Sequence, residues 1–337
     1  MSGNDEQIGP AGGERIAKVM ARAGLCSRRQ AEAWIAGGRV AINGRPINSP
    51  AVNVGDSDRV TVDGEALPAR ERTRLFLYHK PRGLVTTNVD PQGRPTIFAA
   101  LPGHLPRLIS VGRLDMNTEG LLLLTNDGGL ARILELPETG WLRRYRVRAN
   151  GTVTQERLDT LRRGITIDGI RYGAIEASLD RAQGANVWLT FSIREGKNRE
   201  VRNVLEALDL KVARLIRVSF GPFQLGELAA GGVEEIATRH LREQLGARLA
   251  EKARVDLSAP IVARPEAVVL KDKDEKTGRA GGDRTPNTKK PAPKQPAPTR
   301  EGPRRDDKPK RVKRAKHGKG ANPGSRQSSD KRRRKGR

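Results

Sequence analysis

The chain has 337 residues, enough for about two domains, and carries a net charge of +25 with a pI near 11.0. A polyanion is therefore the first partner to expect, and a membrane-spanning helix is not expected because no apolar run approaches the roughly 20 residues it requires. One cysteine, Cys26, excludes an internal disulfide framework, and four scattered histidines offer no zinc-ligand spacing, which leaves an all-carboxylate Mg²⁺ site as the remaining metal option.

Residues 1–13 are polar and glycine-rich, lack the apolar stretch of a signal peptide, and are expected to be disordered in a cytoplasmic protein. From Glu14 onward, Ile16, Val19, Met20 and Ala23 recur at helical spacing, with Gly24 as the stop. Ser27 is placed to cap a second helix through Ala31, Trp34 and Ile35, ending at Gly37-Gly38. Short strands follow at 39–42, 45–47 and 58–62, with hairpin signals at Asn43-Gly44 and Asp63-Gly64. Arg15, Lys18, Arg22, Arg28, Arg29 and Arg39 line this small unit, and several converge on a helix-turn-helix edge suited to RNA phosphates. Cys26 and Trp34 read as core.

Residues 64–74 form a charged linker. A larger domain opens with the buried-strand pattern at 75–78, followed by the basic loop His79-Lys80-Pro81-Arg82-Gly83. A strand is expected at 84–88, turns over 91–106, and a short helix at 130–136 stopped by Pro137. The alternation at 141–149 predicts a strand with Tyr145 and Val147 on one face and basic residues on the other. Thr154 caps a helix over 155–163; strands follow at 165–167, 170–179 and 186–193. A helix carries Val201, Val204, Leu205 and Leu208 on its apolar face; then come a strand at 212–219, a segment at 223–228 and a last helix over 233–249. Strands outnumber helices and hairpin signals recur, so the fold class is α+β around a mixed, largely antiparallel sheet.

Residues 271–337 hold 25 Lys/Arg against 8 Asp/Glu and no Leu, Ile, Phe, Trp, Tyr or Met. A segment with so little to bury does not offset its own ordering entropy and is expected to be disordered. The expected division is 1–13 as a disordered terminus, 14–74 as an RNA-binding domain with its linker, 75–250 as a second domain, and 251–337 as a basic tail.

No phosphate loop, G-x-S-x-G elbow or Cys/His pairing is present. What remains is a set of loop carboxylates among cations: Asp90, Asp115, Glu119 and Asp127. An ion pair with a neighbouring arginine, a helix cap near Asn117-Thr118 and catalysis are all open to them, and composition and spacing do not separate the three.

Two resemblances narrow this. The run Arg15-Ile-Ala-Lys-Val-Met-Ala-Arg-Ala-Gly-Leu-Cys-Ser-Arg-Arg-Gln-Ala-Glu, with Gly38-Arg39-Val40-Ala41-Ile42-Asn43-Gly44, resembles the S4 RNA-binding domain. Val111-Gly-Arg-Leu-Asp-Met-Asn-Thr-Glu-Gly-Leu-Leu-Leu-Leu-Thr-Asn-Asp-Gly resembles the signature of the RsuA/RluB branch of pseudouridine synthases. Tyr78-His-Lys-Pro-Arg-Gly, Arg144-Tyr-Arg-Val and Glu195-Gly-Lys-Asn-Arg-Glu-Val-Arg agree with it in order, with Glu200 standing where the family commonly has Gln and Asn203 where it has Arg or Lys.

The resemblance implies an S4 domain followed by a pseudouridine synthase catalytic domain, acting on ribosomal RNA or an assembly intermediate as a monomer, without cofactor or metal. The S4 domain together with the long basic tail resembles the large-subunit enzymes of this branch, which makes a large-subunit rRNA target the leading expectation; a small-subunit target and a noncatalytic ribosome-assembly factor are the alternatives. It also implies Asp115 as the catalytic carboxylate, Arg202 as its cationic partner with Arg199 as second choice, and Tyr145 stacking on the target base. Lys80 and Arg113 are expected to contact phosphate or position loops, Lys197 and Arg199 to contact RNA, and Glu119 and Asp127 to serve structure.

Overall fold

A computed structural model describes residues 13–262. The first unit forms because its helix signals are local and unambiguous. Helices span Ile16–Arg22 and Arg28–Ala36. Ser27 Oγ accepts from the Gln30 amide at 3.2 Å while Gln30 Oε1 accepts from the Ser27 amide at 2.9 Å, a reciprocal cap that satisfies two otherwise orphaned donors. Asn43 and Gly44 both take positive φ, 51° and 79°, which is what a tight hairpin between Val40–Ile42 and Arg45–Ile47 requires. Ile16, Met20, Ala31 and Ile35 close against Val40, Ile42, Val60 and Val62 as a separate small core that also contains Cys26.

The larger unit is built on one mixed sheet. Its main path runs Glu176–Gln183, Asn186–Ile193, Arg143–Asn150, Lys211–Phe220, Glu119–Thr125, Leu75–Lys80 and Val233–Glu235. All neighbours on that path pair antiparallel except Lys211–Phe220 and Glu119–Thr125, which run parallel with Arg217 beside Gly120. The four leucines Leu121–Leu124 are fully buried because the sheet is covered on both faces here: Leu122 and Leu124 join one core, Leu121 and Leu123 the other. Among the described residues no helix is long and apolar enough to cross a membrane.

Gly120 marks where the loop bearing Asp115 enters the sheet. Its φ is +101°, and a Cβ there would stand 2.3 Å from the Arg217 carbonyl oxygen. Both the strained backbone and the backbone clash forbid a side chain. Gly120→Ala is therefore expected to cost about 2–4 kcal/mol in urea denaturation; a loss below about 0.5 kcal/mol would mean that the parallel pairing is not this close.

Three expected elements differ. Residues 84–88 are loop rather than strand: Val85 makes only an isolated bridge to Thr96, and Thr86 Oγ1 donates to Leu114 O at 2.8 Å, so the segment braces the Asp115 loop. The expected strand at 170–179 is two strands, Ile170–Tyr172 in a small hairpin and Glu176–Gln183 in the main sheet, divided where the Ile175 amide turns to Leu161 O. The last helix is Thr238–Ala253; Val233–Glu235 instead extends the sheet beside Leu75–Lys80, and the ladder continues from the Ile236 amide to Leu75 O. The expected tail boundary at 251 also moves. Thr73 and Arg72 amides bond Asp256 O (2.7 Å) and Pro260 O (3.1 Å), and Val255 and Leu257 pack on the core. The disorder expected for 1–12 and 263–337 lies outside the described residues.

Candidate active site

The loop between Ile109–Ser110 and Glu119–Thr125 is anchored at both ends. Val111 and Leu114 are buried on one side and the leucine run on the other. Between them the Thr118 amide donates to Asp115 O at 3.0 Å, closing a turn that presents the Asp115 side chain to a cleft of about 1100 Å³.

Lys80 holds that turn from beneath. It is fully buried, and its Nζ donates to the carbonyls of Pro81 (3.0 Å), Met116 (3.3 Å) and Thr118 (2.9 Å). All three ammonium donors are thus used on the loop, so the phosphate contact expected of Lys80 is not open to it; loop positioning is its role. Burial lowers its pKa to about 8, against the opposing pull of Asp115 and Glu119. Between pH 8 and the ordinary lysine value of 10.5 the unfolded chain binds this proton and the folded chain does not, so folding stability gains from rising pH in that window. The stability of wild type relative to Lys80→Met should rise by up to about 2 kcal/mol from pH 8 to 9.5. A difference flat with pH would put the Lys80 pKa near its ordinary value.

The other loop carboxylates are already engaged. Asp90 is bound by Arg94 at 2.7 and 3.0 Å, and chiefly those side-chain bonds lower its pKa to about 2. Glu119 takes two bonds from Arg214, at 3.1 and 2.9 Å, which hold its pKa below the usual carboxylate range. Asp127 caps helix Gly128–Glu135 through the Gly129 amide at 2.7 Å and binds Thr73 Oγ1 and Arg70 Nη2 at 2.9 and 2.7 Å. Asp115 differs: its carboxylate makes no hydrogen bond among the described residues, and Arg199 Nη1 and Arg202 Nε each stand 3.8 Å from Oδ2.

The two arginines are not equivalent. Arg202 lies in helix Glu200–Glu206, its side chain 14 % exposed, and Nη2 reaches Asn117 O at 3.3 Å. Burial depresses its pKa, with the charge of Arg199 adding to the effect and Asp115 opposing it. Arg199 precedes the helix in a left-handed conformation at φ 50°, its side chain 52 % exposed.

The wall of the cleft comes from the parallel pair and its neighbour. Tyr145 is buried to 7 % exposure on Arg143–Asn150, paired across the sheet with Phe191 and Arg217. Arg143 shares its face, contrary to the expectation that basic residues occupy only the opposite one. It is held by Arg194 and Glu195 carbonyls and lies 4.7 Å over the Phe220 ring. Arg217 covers the same ring at 5.1 Å and donates through Nε to Leu121 O at 2.7 Å. Three buried polar atoms of residues lining this cleft, Thr118 Oγ1, Arg202 Nε and Arg217 Nη2, have no hydrogen-bond partner among the described residues. Burying unpaired polar groups is costly, and a polar ligand in the cleft removes that cost. Sequence reasoning missed Arg143, Arg217 and Thr118; the two-residue parity of Arg143 with Tyr145 was the available signal.

Of the remaining expected RNA contacts, Arg113 is exposed at the cleft. Lys197 also lines it, tied to the Glu195 carboxylate and to Arg171 O at 2.7 Å. Arg15, Arg28 and Arg29 are exposed on the small unit, Lys18 pairs with Glu14, and Arg39 pairs with Asp63 while stacking 4.8 Å over Trp34. The structure therefore gathers Asp115, Tyr145, Arg202, Arg199, Arg113 and Lys197 at one cleft, and places Arg15, Lys18, Arg28, Arg29 and Arg39 on a separate unit.

Comparison with known proteins gives two family matches: the S4 domain over residues 14–64 and RNA pseudouridylate synthase over residues 74–207. The chain is 45 % identical over 231 residues to an uncharacterized RNA pseudouridine synthase of Rickettsia prowazekii, covering 68 % of this chain and 97 % of that one. It is 43 % identical over 245 residues to ribosomal large subunit pseudouridine synthase B of Pseudomonas aeruginosa, covering 69 % and 63 %. A crystal structure of a pseudouridylate synthase matches at 30 % identity and a TM-score of 0.48, covering 69 % of this chain and all of that one.

Proposed function

The chain belongs to the RNA pseudouridine synthase family, and we propose that it isomerises a specific uridine of large-subunit ribosomal RNA with Asp115 as its catalytic carboxylate. The observation that carries the reading is the state of Asp115. Asp90, Glu119 and Asp127 are bound directly by arginine, hydroxyl or amide donors, whereas Asp115 opens on the cleft with two guanidiniums at 3.8 Å. Those cations face the carboxylate without occupying it.

The reaction breaks the C1′–N1 bond, turns the base and joins C1′ to C5; C5 gives up a proton and N1 gains one. Product and substrate are isomers, so no cofactor, metal ion or water is consumed. An ionised carboxylate serves the step at the electron-poor sugar carbon. Tyr145 presents a ring on which the base stacks, and Arg202 stands beside Asp115 as its cationic partner. The target uridine leaves its stack to reach the cleft, at an unstacking cost of a few kcal/mol. In this reading residues 14–74 grip the surrounding RNA through Arg15, Lys18, Arg28, Arg29 and Arg39, and residues 75–250 carry the chemistry. The basic 271–337 segment adds salt-sensitive attraction to the backbone. The substrate is ribosomal RNA, free or in an assembly intermediate, met by a monomer in the cytoplasm.

The test is incubation of the full chain with ribosomal RNA transcripts, with pseudouridine read as primer-extension stops after carbodiimide treatment. One new stop in large-subunit RNA is expected. Stops confined to small-subunit RNA would overturn the target, and no product on any transcript or assembly particle would overturn the activity.

A further inference from the structure

The main sheet has a face that this chemistry does not use. Arg143–Asn150 alternates strictly between buried and exposed residues, so Tyr145, Val147 and Ala149 point to the core while Arg144, Arg146 and Arg148 point away from it. In register, Arg148 stands opposite Trp188 on one side and Arg214 on the other; Arg146 stands opposite Thr190 and Ile216. Over Glu119–Thr125 and Leu75–Lys80 this outer face is covered, with Leu121, Leu123, Leu75 and Leu77 packed beneath Leu130 and Leu241 of the flanking helices. Over the other half of the sheet the four arginines are exposed.

Two features set this row apart from an ordinary solvated strand. Like charges directly opposite on neighbouring strands destabilise a sheet, yet Arg148 and Arg214 occupy such a pair. Arg214 is offset by Glu119, but Arg144, Arg146 and Arg148 make no ion pair and no side-chain hydrogen bond among the described residues. The nearby Asp180 is taken by the hydroxyls of Ser178 and Thr190. Secondly, Arg146 is not free to wander: its guanidinium lies 4.9 Å over the half-buried Trp188 ring. That stack fixes a flat cation over an aromatic ring at the middle of the row. Alternate residues of a strand repeat every ~6.8 Å, so the row presents evenly spaced charges to an extended polyanion.

We propose that this outer face is a second RNA-binding surface, taking a single-stranded segment whose phosphates lie along Arg144, Arg146 and Arg148 and one of whose bases stacks at the Arg146–Trp188 platform. The charge and the planar stack match what single strands need, backbone cations beside a flat group. A second copy of the chain would bring the same cations face to face, and the 271–337 segment has a net charge of +17, so neither complements the row. The strand bound here is separate from the one in the cleft, because Tyr145 and the three arginines lie on opposite faces.

The experiment measures binding alone, so its outcome does not depend on the proposed isomerase reading. Full-length wild type and the triple variant Arg144→Gln, Arg146→Gln, Arg148→Gln are titrated with a 30-nucleotide oligo(rA) and with a short uridine-containing hairpin at several salt concentrations. Oligo(rA) should bind the variant at least about fivefold more weakly, with a log–log salt slope reduced by about 2, the loss of three single-strand phosphate contacts. Hairpin affinity should stay within about twofold. Unchanged oligo(rA) affinity and slope, or equal weakening of both RNAs, overturns the surface. Ultraviolet crosslinking of oligo(rA) to the wild-type chain needs no variant: adducts on Arg144, Arg146, Arg148 or Trp188 are expected, and adducts confined to residues 14–64 and the cleft, Arg143, Tyr145 and Ile193 included, overturn it as well.

Discussion

Asp115→Asn should lower the single-turnover isomerisation rate by on the order of 10⁴-fold or more while leaving RNA affinity within about threefold. The substitution is nearly isosteric, and the turn does not depend on the carboxylate, since the bond that closes it runs from the Thr118 amide to the Asp115 backbone oxygen. Asn cannot supply the negative charge that the sugar carbon meets as C1′–N1 breaks. Nor does its loss weaken the grip on RNA: Arg199 and Arg202, each 3.8 Å from the carboxylate, become more available to phosphate. Filter binding and carbodiimide mapping on the same RNA separate the two effects. A variant that modifies RNA at the wild-type rate would remove Asp115 from the reaction.

Arg202→Gln should lower the same rate by about 10²–10³-fold, and Arg199→Gln by about tenfold or less, with most of the second effect appearing in RNA affinity. Distance does not decide between them, since both stand 3.8 Å from Asp115. Burial does. Arg202 is 14 % exposed and Arg199 52 %, and a charge screened by protein instead of water acts several-fold more strongly on its neighbour. Arg202 is also oriented, by its bond to Asn117 O within the same loop. Although burial depresses its pKa, a guanidinium remains charged at neutral pH. The discriminating measurement is the split between kcat and KM: a kcat loss for Arg202→Gln and a KM rise for Arg199→Gln. Equal kcat losses would mean that the two share the role.

The small RNA-binding unit was largely legible because its signals are short-range. The Ser27 cap and the Asn43-Gly44 turn are decided within a few residues, and the apolar spacing of Ile16, Met20, Ala31 and Ile35 names its core. In the larger unit, long strands with clear alternation, such as Asn186–Ile193, were equally readable. The segment 84–88 has strand-like composition, but no neighbouring strand offers it a full ladder. Val233–Glu235 reads as helix until it meets the free edge of Leu75–Lys80.

The candidate site divides in the same way. By itself the sequence determined a basic chain, an acid-bearing loop beside a leucine anchor and, through resemblance to a family, Asp115 with Tyr145 and a basic residue near Arg202. Tertiary structure decided what each charge is free to do. It tied Asp90, Glu119 and Asp127 to their own partners, turned Lys80 inward onto three loop carbonyls, and brought Arg217 to the cleft from a position that carries no local signal. It also left Arg144, Arg146 and Arg148 on the far face with no ion pair among the described residues. Whether a charge is spent or available depends on its partners across 38 to 95 residues of chain, as with Lys80 and Thr118, Asp127 and Arg70, or Glu119 and Arg214. Residue type and local spacing carry no record of such long-range pairings, which exist only once the sheet has closed.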